Sequence, residues 1–263
     1  MKTDVGVAYL RTPVAVRARC ESIYKAGVAG QLAHFALDLA KLPAATERVV
    51  AAGRSAYPDL DFPVASVDEN IEAISAHVIA TLGAPTEHVA DKPDHDATWP
   101  HRLVPSIEAG QILKVVLDRI DGDAQGDVGK HGLAVVPLHE RGLALSFACF
   151  APIERAGYTI AQPGALPGLA NAENGGLFVD AGVLVPKYME VREIVHARTD
   201  EVIVEWRALT ITLLDILAVE VRRAFARSSS QLPLANLLTS TAAAGRAIAR
   251  ELRPTGAPPI RMR

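Results

Sequence analysis

The residues with chemistry to offer are carboxylates and cations scattered through an apolar second half. Asp180 interrupts the run Leu177-Phe178-Val179-Asp180-Ala181-Gly182-Val183-Leu184. A carboxylate among residues that should be buried needs a partner or a task. Glu205, Trp206 and Arg207 open a long helical pattern, where an anion is favoured by the helix dipole. Glu173, Asp215 and His139 complete the set, His139 also suiting the start of a helix. Asp180 and Arg207 read either as a buried ion pair tying two elements together or as a catalytic carboxylate with a substrate-binding cation. A second cluster is local: His88, Asp91, Asp94, His95, Asp96 and His101. Imidazole and carboxylate together suit a divalent metal, but the spacing matches no ligand motif, and a solvated acidic loop has the same composition. The sequence holds no Gly-rich phosphate loop with a following Lys, no nucleophile elbow, no His-Glu-x-x-His and no Cys-x-x-Cys.

The elements that must position these residues are mostly helices. Thr12, Pro13 and Gly27 give cap, first turn and stop for a helix over 13–26. A second helix runs from about Pro43 to Ala56, before the Tyr57-Pro58-Asp59 break. Ser66-Val67-Asp68-Glu69 is a capping box, predicting a helix over 67–82 with Val67, Ile71, Ile74, Val78 and Ile79 inward. Four prolines make 84–105 a loop, and Ser106 can cap a helix through Ile120. Residues 122–132 read as a loop. The runs 133–153 and 177–185 are apolar without a decisive period, so strand and buried helix both fit. The longest helix is expected over 201–226, with Trp206, Leu209, Leu213, Leu217, Val221 and Phe225 on one side. Pro233 opens a last helix through about Leu252, and 253–263 reads as an extended arm. The fold class is mainly α with perhaps one small sheet.

Composition bounds the rest. With 263 residues, 49% of them hydrophobic and 22% charged, the chain can bury a sizeable core and is not a disordered one. The uncharged apolar runs 142–153 and 156–172 are too short or too broken by proline to cross a bilayer. The first residues lack the apolar core of a signal peptide, and two cysteines, Cys20 and Cys149, are too few for a disulfide framework. The expectation is a soluble cytoplasmic protein. The net charge of −3 is uneven: 59–127 carries fourteen acids against four bases, and 222–263 eight arginines against Glu251 alone. Such asymmetry speaks to association rather than to a reaction, and the plainest reading is a basic helix face that pairs with the acidic middle.

An ordered series of segments resembles a known family. It runs through Val16-Arg17-Ala18-Arg19, His34-Phe35, Asp38-Leu39-Ala40-Lys41-Leu42 and Tyr57-Pro58-Asp59-Leu60. It continues with Gly126-Asp127-Val128, Val136-Pro137-Leu138-His139, Pro152-Ile153-Glu154 and Asn174-Gly175-Gly176-Leu177-Phe178-Val179-Asp180. It closes with Val204-Glu205-Trp206-Arg207-Ala208-Leu209-Thr210, Ala243-Ala244-Gly245-Arg246 and Arg253-Pro254 to Pro258-Pro259-Ile260. The series, over most of 10–60 and 126–260, is similar to the uracil-catabolism (URC) family whose fungal members are the fourth named protein of that pathway. More distantly, 166–214 resembles the queuosine-nucleotide salvage family, whose helical, DNA-glycosylase-like members cleave an N-glycosidic bond.

The resemblance implies a single helical domain over 1–263 and hydrolysis of the N-ribosyl bond of a ring-opened pyrimidine nucleoside or nucleotide. Such cleavage builds positive charge on the sugar, so a carboxylate should face C1′ and help a water attack. Glu205 and Asp180 are the candidates, with Glu173 a substitute. Arg207 or Arg246 would hold a 5′-phosphate, with Trp206, Asn174 and His139 among the substrate-binding residues. No metal or other cofactor is called for, nor a nucleic-acid or membrane partner; the partner is the small-molecule substrate. Two departures stand out. Asn171-Ala172-Glu173 replaces a carboxylate-Tyr-Arg triplet, and 65–125 is divergent and shortened, the loss falling between about Ser66 and Ala73. The alternatives are a non-catalytic nucleotide- or partner-binding member, and a metal-dependent hydrolase using 88–101.

Overall fold

The computed structural model describes residues 3–57, 70–83, 105–120 and 128–263. Among these residues helix dominates, and the minor strand content is four separate two-stranded ladders rather than one sheet. The chain opens with α1 (Thr3–Leu10) and α2 (Pro13–Val28). Thr12 caps α2 by accepting the Ala15 N–H at 3.2 Å, with Pro13 in the first turn. Then come β1 (Phe35–Leu37), α3 (Leu42–Ala56) and α4 (Ile71–Leu82). Asn70 caps α4 at the Ala73 N–H, so this helix starts later than its apolar pattern predicts. The Ser66–Glu69 box lies outside the described residues, as does all but Pro105 of the loop expected over 84–105.

Next follow β2 (Ser106–Glu108), α5 (Ala109–Arg119), β3 (Val128–His131), β4 (Ala134–Pro137), α6 (Glu140–Ala148), α7 (Phe150–Arg155) and β5 (Thr159–Ala161). The expected Ser106 cap is corrected here. Ser106, Ile107 and Glu108 pair in parallel with Thr159, Ile160 and Ala161, and the helix begins after them. The loop expected over 122–132 holds strand β3, whose hairpin with β4 turns at Gly132, φ +57°. The ambiguous run 133–153 divides into a strand and two helices.

The last part contains α8 (Ala172–Asp180), β6 (Leu184–Pro186), α9 (Glu190–Glu193), β7 (Val195–His196), α10 (Glu201–Ala224), α11 (Leu234–Leu252) and β8 (Arg261–Met262). The run 177–185 is thus both things in turn: the end of a helix, then a strand that pairs antiparallel with β1. The final segment folds back. Ile260 is buried, and β8 lies parallel to β7.

Helix α10 is the axis of the molecule. It packs against α2, α3, α8 and β3, and every residue from Val202 to Ile211 is buried. Its first half therefore has no solvent face, and its polar side chains must find partners inside the protein. One hydrophobic cluster, from Val16 to Ile260, surrounds it. Among the described residues no helix is long and apolar enough to cross a membrane.

Candidate functional site

Glu205 sits in the buried half of α10 with no exposed surface. Its Oε1 accepts the backbone N–H of His34 at 3.1 Å and of Phe35 at 2.8 Å. Its Oε2 lies 3.1 Å from Nε2 of His131. One carboxylate thus fixes the start of β1 and the end of β3. The approach of β3 is close because Gly129 has no side chain: a Cβ there would drive into Val204. One turn earlier on α10, Glu201 Oε1 accepts the Gly132 N–H at 2.7 Å. The His131 side chain is 21% exposed, and its Nδ1 makes no hydrogen bond among the described residues. A buried acid thereby holds an accessible imidazole by one nitrogen and leaves the other available, the geometry of a carboxylate-supported general base. Sequence reasoning passed over His131 because a lone histidine in an expected loop carries no spacing signal; only strand pairing brings it to Glu205.

The next residue along α10 reaches the other way. Trp206 is buried and donates its indole N–H to the Gly175 carbonyl at 3.1 Å, its ring lying where a Gly175 side chain would be. It fastens α8 to α10. Asn171 caps α8 by accepting the Asn174 N–H at 2.9 Å, the work a short polar side chain does at a helix start. Asn174 itself is buried, its amide donating to the Leu169 carbonyl at 3.0 Å. Glu173 is half-buried and has no ion pair among the described residues. Its backbone rests on Gly245 of α11, the residue before exposed Arg246.

The Asp180–Arg207 ion pair, one of the two alternatives the sequence allows, does not form. Asp180, its side chain fully buried, receives both ends of the Arg253 guanidinium, at 2.8 and 2.5 Å. These bonds hold the Arg253 pKa above its ordinary value against the opposing effect of burial. Arg253 Nε also donates to the Ala257 carbonyl, so the pair clasps the C-terminal arm across α8. Arg207 instead binds Glu140 at 2.8 Å, and Arg198 approaches the same oxygen at 3.4 Å. The reason is helical phase: Asp180 ends α8, toward the arm, while Arg207 faces the start of α6. His139, buried in a left-handed conformation (φ 45°), caps α6, and its Nε2 lies 2.8 Å from the Leu10 carbonyl.

Asp215, lower on α10, is gripped by Arg17 at 3.0 and 3.3 Å. That guanidinium also donates to the carbonyls of Gly164, Ala165 and Leu166. Cys20 lies nearby, its thiol pushed up to about 12 by burial first and the Asp215 charge second, with Arg207 opposing. Among the described residues no three His, Cys, Asp or Glu side chains are grouped to hold a metal. The cluster His88 to His101 lies outside the described residues.

Comparison with known proteins places this arrangement in a family. The family model described as "Protein of unknown function (DUF1688)" matches residues 9–98 and 96–263. The chain belongs to that family. Part of this DUF1688 chain is 36% identical, over 129 residues, to "Protein urg3" of Schizosaccharomyces pombe. The match takes in 47% of this chain and 32% of that relative, about a third of the relative's length. Both findings support the resemblance to the uracil-catabolism family drawn from the segments above. The buried polar residues of α10 lie in the larger matched region, 96–263.

Proposed function

We propose that the chain acts in uracil catabolism and hydrolyses the N-ribosyl bond of a ring-opened pyrimidine nucleoside or nucleotide. The observation that carries this reading is the His131 imidazole held through Nε2 by the buried Glu205. A water attacking C1′ passes its proton to His131 Nδ1 as the C1′–O bond forms and the C1′–N bond breaks. The electron pair leaves on the departing nitrogen, which takes the proton back from the imidazolium. Glu205 stabilises that imidazolium without touching the sugar, so it is a positioning residue. Of the remaining carboxylates, Asp180 is sealed under Arg253, which leaves Glu173 to face the sugar cation. Consecutive residues of α10, Glu205 and Trp206, fasten the His131 strand and the Glu173 helix. Exposed Arg246 is the cation for a 5′-phosphate. Arg207, Trp206, Asn174 and His139 are buried and support the framework.

A second reading, a non-catalytic nucleotide- or partner-binding member, draws support from Asn171, a neutral cap where the family resemblance implies a carboxylate. One assay separates the two. Urea release is followed from N-ribosylurea and its 5′-phosphate, with and without chelator, for the parent chain, His131→Ala and Glu205→Gln. Release that survives chelation and falls at least about a hundredfold in both variants is the expected result. Release insensitive to His131→Ala removes His131 as the base. No release from either compound by folded protein favours the binding reading. Release abolished by chelator favours a metal-dependent hydrolase.

A further inference from the structure

The junction of α1 and α2 leans on the outer face of α5 and encloses a hollow of about 190 Å³, lined by Ala8, Arg11, Thr12, Gly110, Gln111, Lys114 and Asp118. None of these residues belongs to the site above. Its charges are arranged asymmetrically. Arg11 donates from one terminal nitrogen to Asp118 at 2.7 Å. That contact fixes the guanidinium but uses only one edge. The Arg11 Nε is shielded from solvent and has no acceptor among the described residues. A buried donor without an acceptor is costly, and it is the kind of group a ligand oxygen satisfies.

Lys114 adds the second charge. Asp118 stands one helical turn after it, the spacing at which a Lys–Asp pair normally forms on a helix surface. Asp118 is turned to Arg11 instead, and Lys114 has no ion pair among the described residues. Among the described residues Asp118 is the one acid in the wall, against two cations. The first turn of α5 contributes no acid either. The Thr12 hydroxyl is already engaged, donating to the Tyr9 carbonyl at 2.7 Å and accepting from Ala15, so it orders the junction without reaching for a ligand.

We propose that this hollow is an anion site and that its ligand is a phosphate group, bound by Arg11 and Lys114. A tetrahedral oxyanion suits it because the Arg11 edge and the Lys114 ammonium approach from different elements. A planar bidentate carboxylate would compete with Asp118 for the same guanidinium edge. The phosphate comes either free or as a monoester, and the two have this chemistry in common. The site is independent of the N-ribosyl hydrolysis proposed above.

The test is titration of the full chain with inorganic phosphate, followed by calorimetry and by melting temperature, with sodium chloride at matched ionic strength as control. Glycerol phosphate is run as the ester arm. Lys114 is exposed, so Lys114→Ala and Lys114→Glu leave the core untouched. Expected is saturable binding at or below about 10 mM, weakened roughly tenfold in Lys114→Ala and lost in Lys114→Glu. Arg11→Lys, which keeps the charge and removes the Nε–H donor, should weaken it by a similar factor. Tighter binding of the ester assigns the phosphate to an organic ligand, and exclusion of the ester assigns it to the free anion; both support the site. Absence of saturation, an equal response to chloride, or an unchanged affinity in Lys114→Glu overturns it.

Discussion

Replacing Glu205 tests the buried junction directly. In Glu205→Ala, the backbone N–H groups of His34 and Phe35 lose their acceptor, and so does His131. Phe35 is 1% exposed, so water reaches its N–H only by opening the structure. An unsatisfied buried donor costs about 1–3 kcal/mol. With two backbone donors and the lost imidazole contact, the expected loss is about 3–5 kcal/mol. For a chain of this size that lowers the melting temperature by roughly 6–20 °C. Glu205→Gln behaves differently. Its amide oxygen can still accept from His34 and Phe35, so the cost should fall to about 1 kcal/mol, the difference between a charge-assisted and a neutral bond. Its NH₂ then faces His131 Nε2 as a donor, forcing the proton onto Nδ1. The assay is urea denaturation with linear extrapolation, paired with ¹⁵N spectra of the His131 ring. Glu205→Ala within about 0.5 kcal/mol of the parent would refute the claim that this carboxylate holds β1 and β3. A His131 tautomer unchanged in Glu205→Gln would refute the pairing at Nε2.

Three other outcomes follow from the geometry. Arg253→Met strands the buried Asp180 carboxylate and frees the C-terminal arm, at an expected cost of about 2–4 kcal/mol by denaturant melts; the guanidinium is a quarter exposed, which tempers the loss. Adding Asp180→Asn should recover part of it, and strict additivity in that double-mutant cycle would count against the pair. Gly245→Ala drives a methyl into the Glu173 backbone, where neither helix can yield, so we expect at least about 2 kcal/mol of destabilisation or insoluble protein, and a stable variant would contradict the close packing of α8 on α11. Cys20 is fully buried with its thiol pushed up to about 12, so a thiol reagent at pH 8 should label it only after unfolding. Because that pKa lies above the ordinary thiol value of 9.0 that the unfolded chain takes, its contribution is intact below pH 9 and lost as pH rises toward 12, and the melting temperature should fall over that window.

The sequence determined the helices and their starts where local chemistry is strong, whereas α2 runs through the expected stop at Gly27 to Val28. Thr12 and Pro13 start α2 where expected, Pro233 precedes α11, and the α10 pattern finds nearly its full length. Those signals reside in a few adjacent residues and need no partner. Short apolar runs carried no such signal: 177–185 serves as helix and then strand because Gly182 turns the chain and β1 waits on the far side. The ion pairs were illegible for the same physical reason. Arg207, Arg253, Glu140 and Asp180 are all of the right type, and only helical phase and the returning C-terminal arm decide that the partners are Arg207 with Glu140 and Arg253 with Asp180. Glu205 was marked by its residue type, but its neighbours were not. His131 meets it across 74 positions of chain, through a hairpin whose Gly129 allows the strand to lie against α10. Residue chemistry picks out which groups want partners; tertiary packing alone chooses which partners they receive.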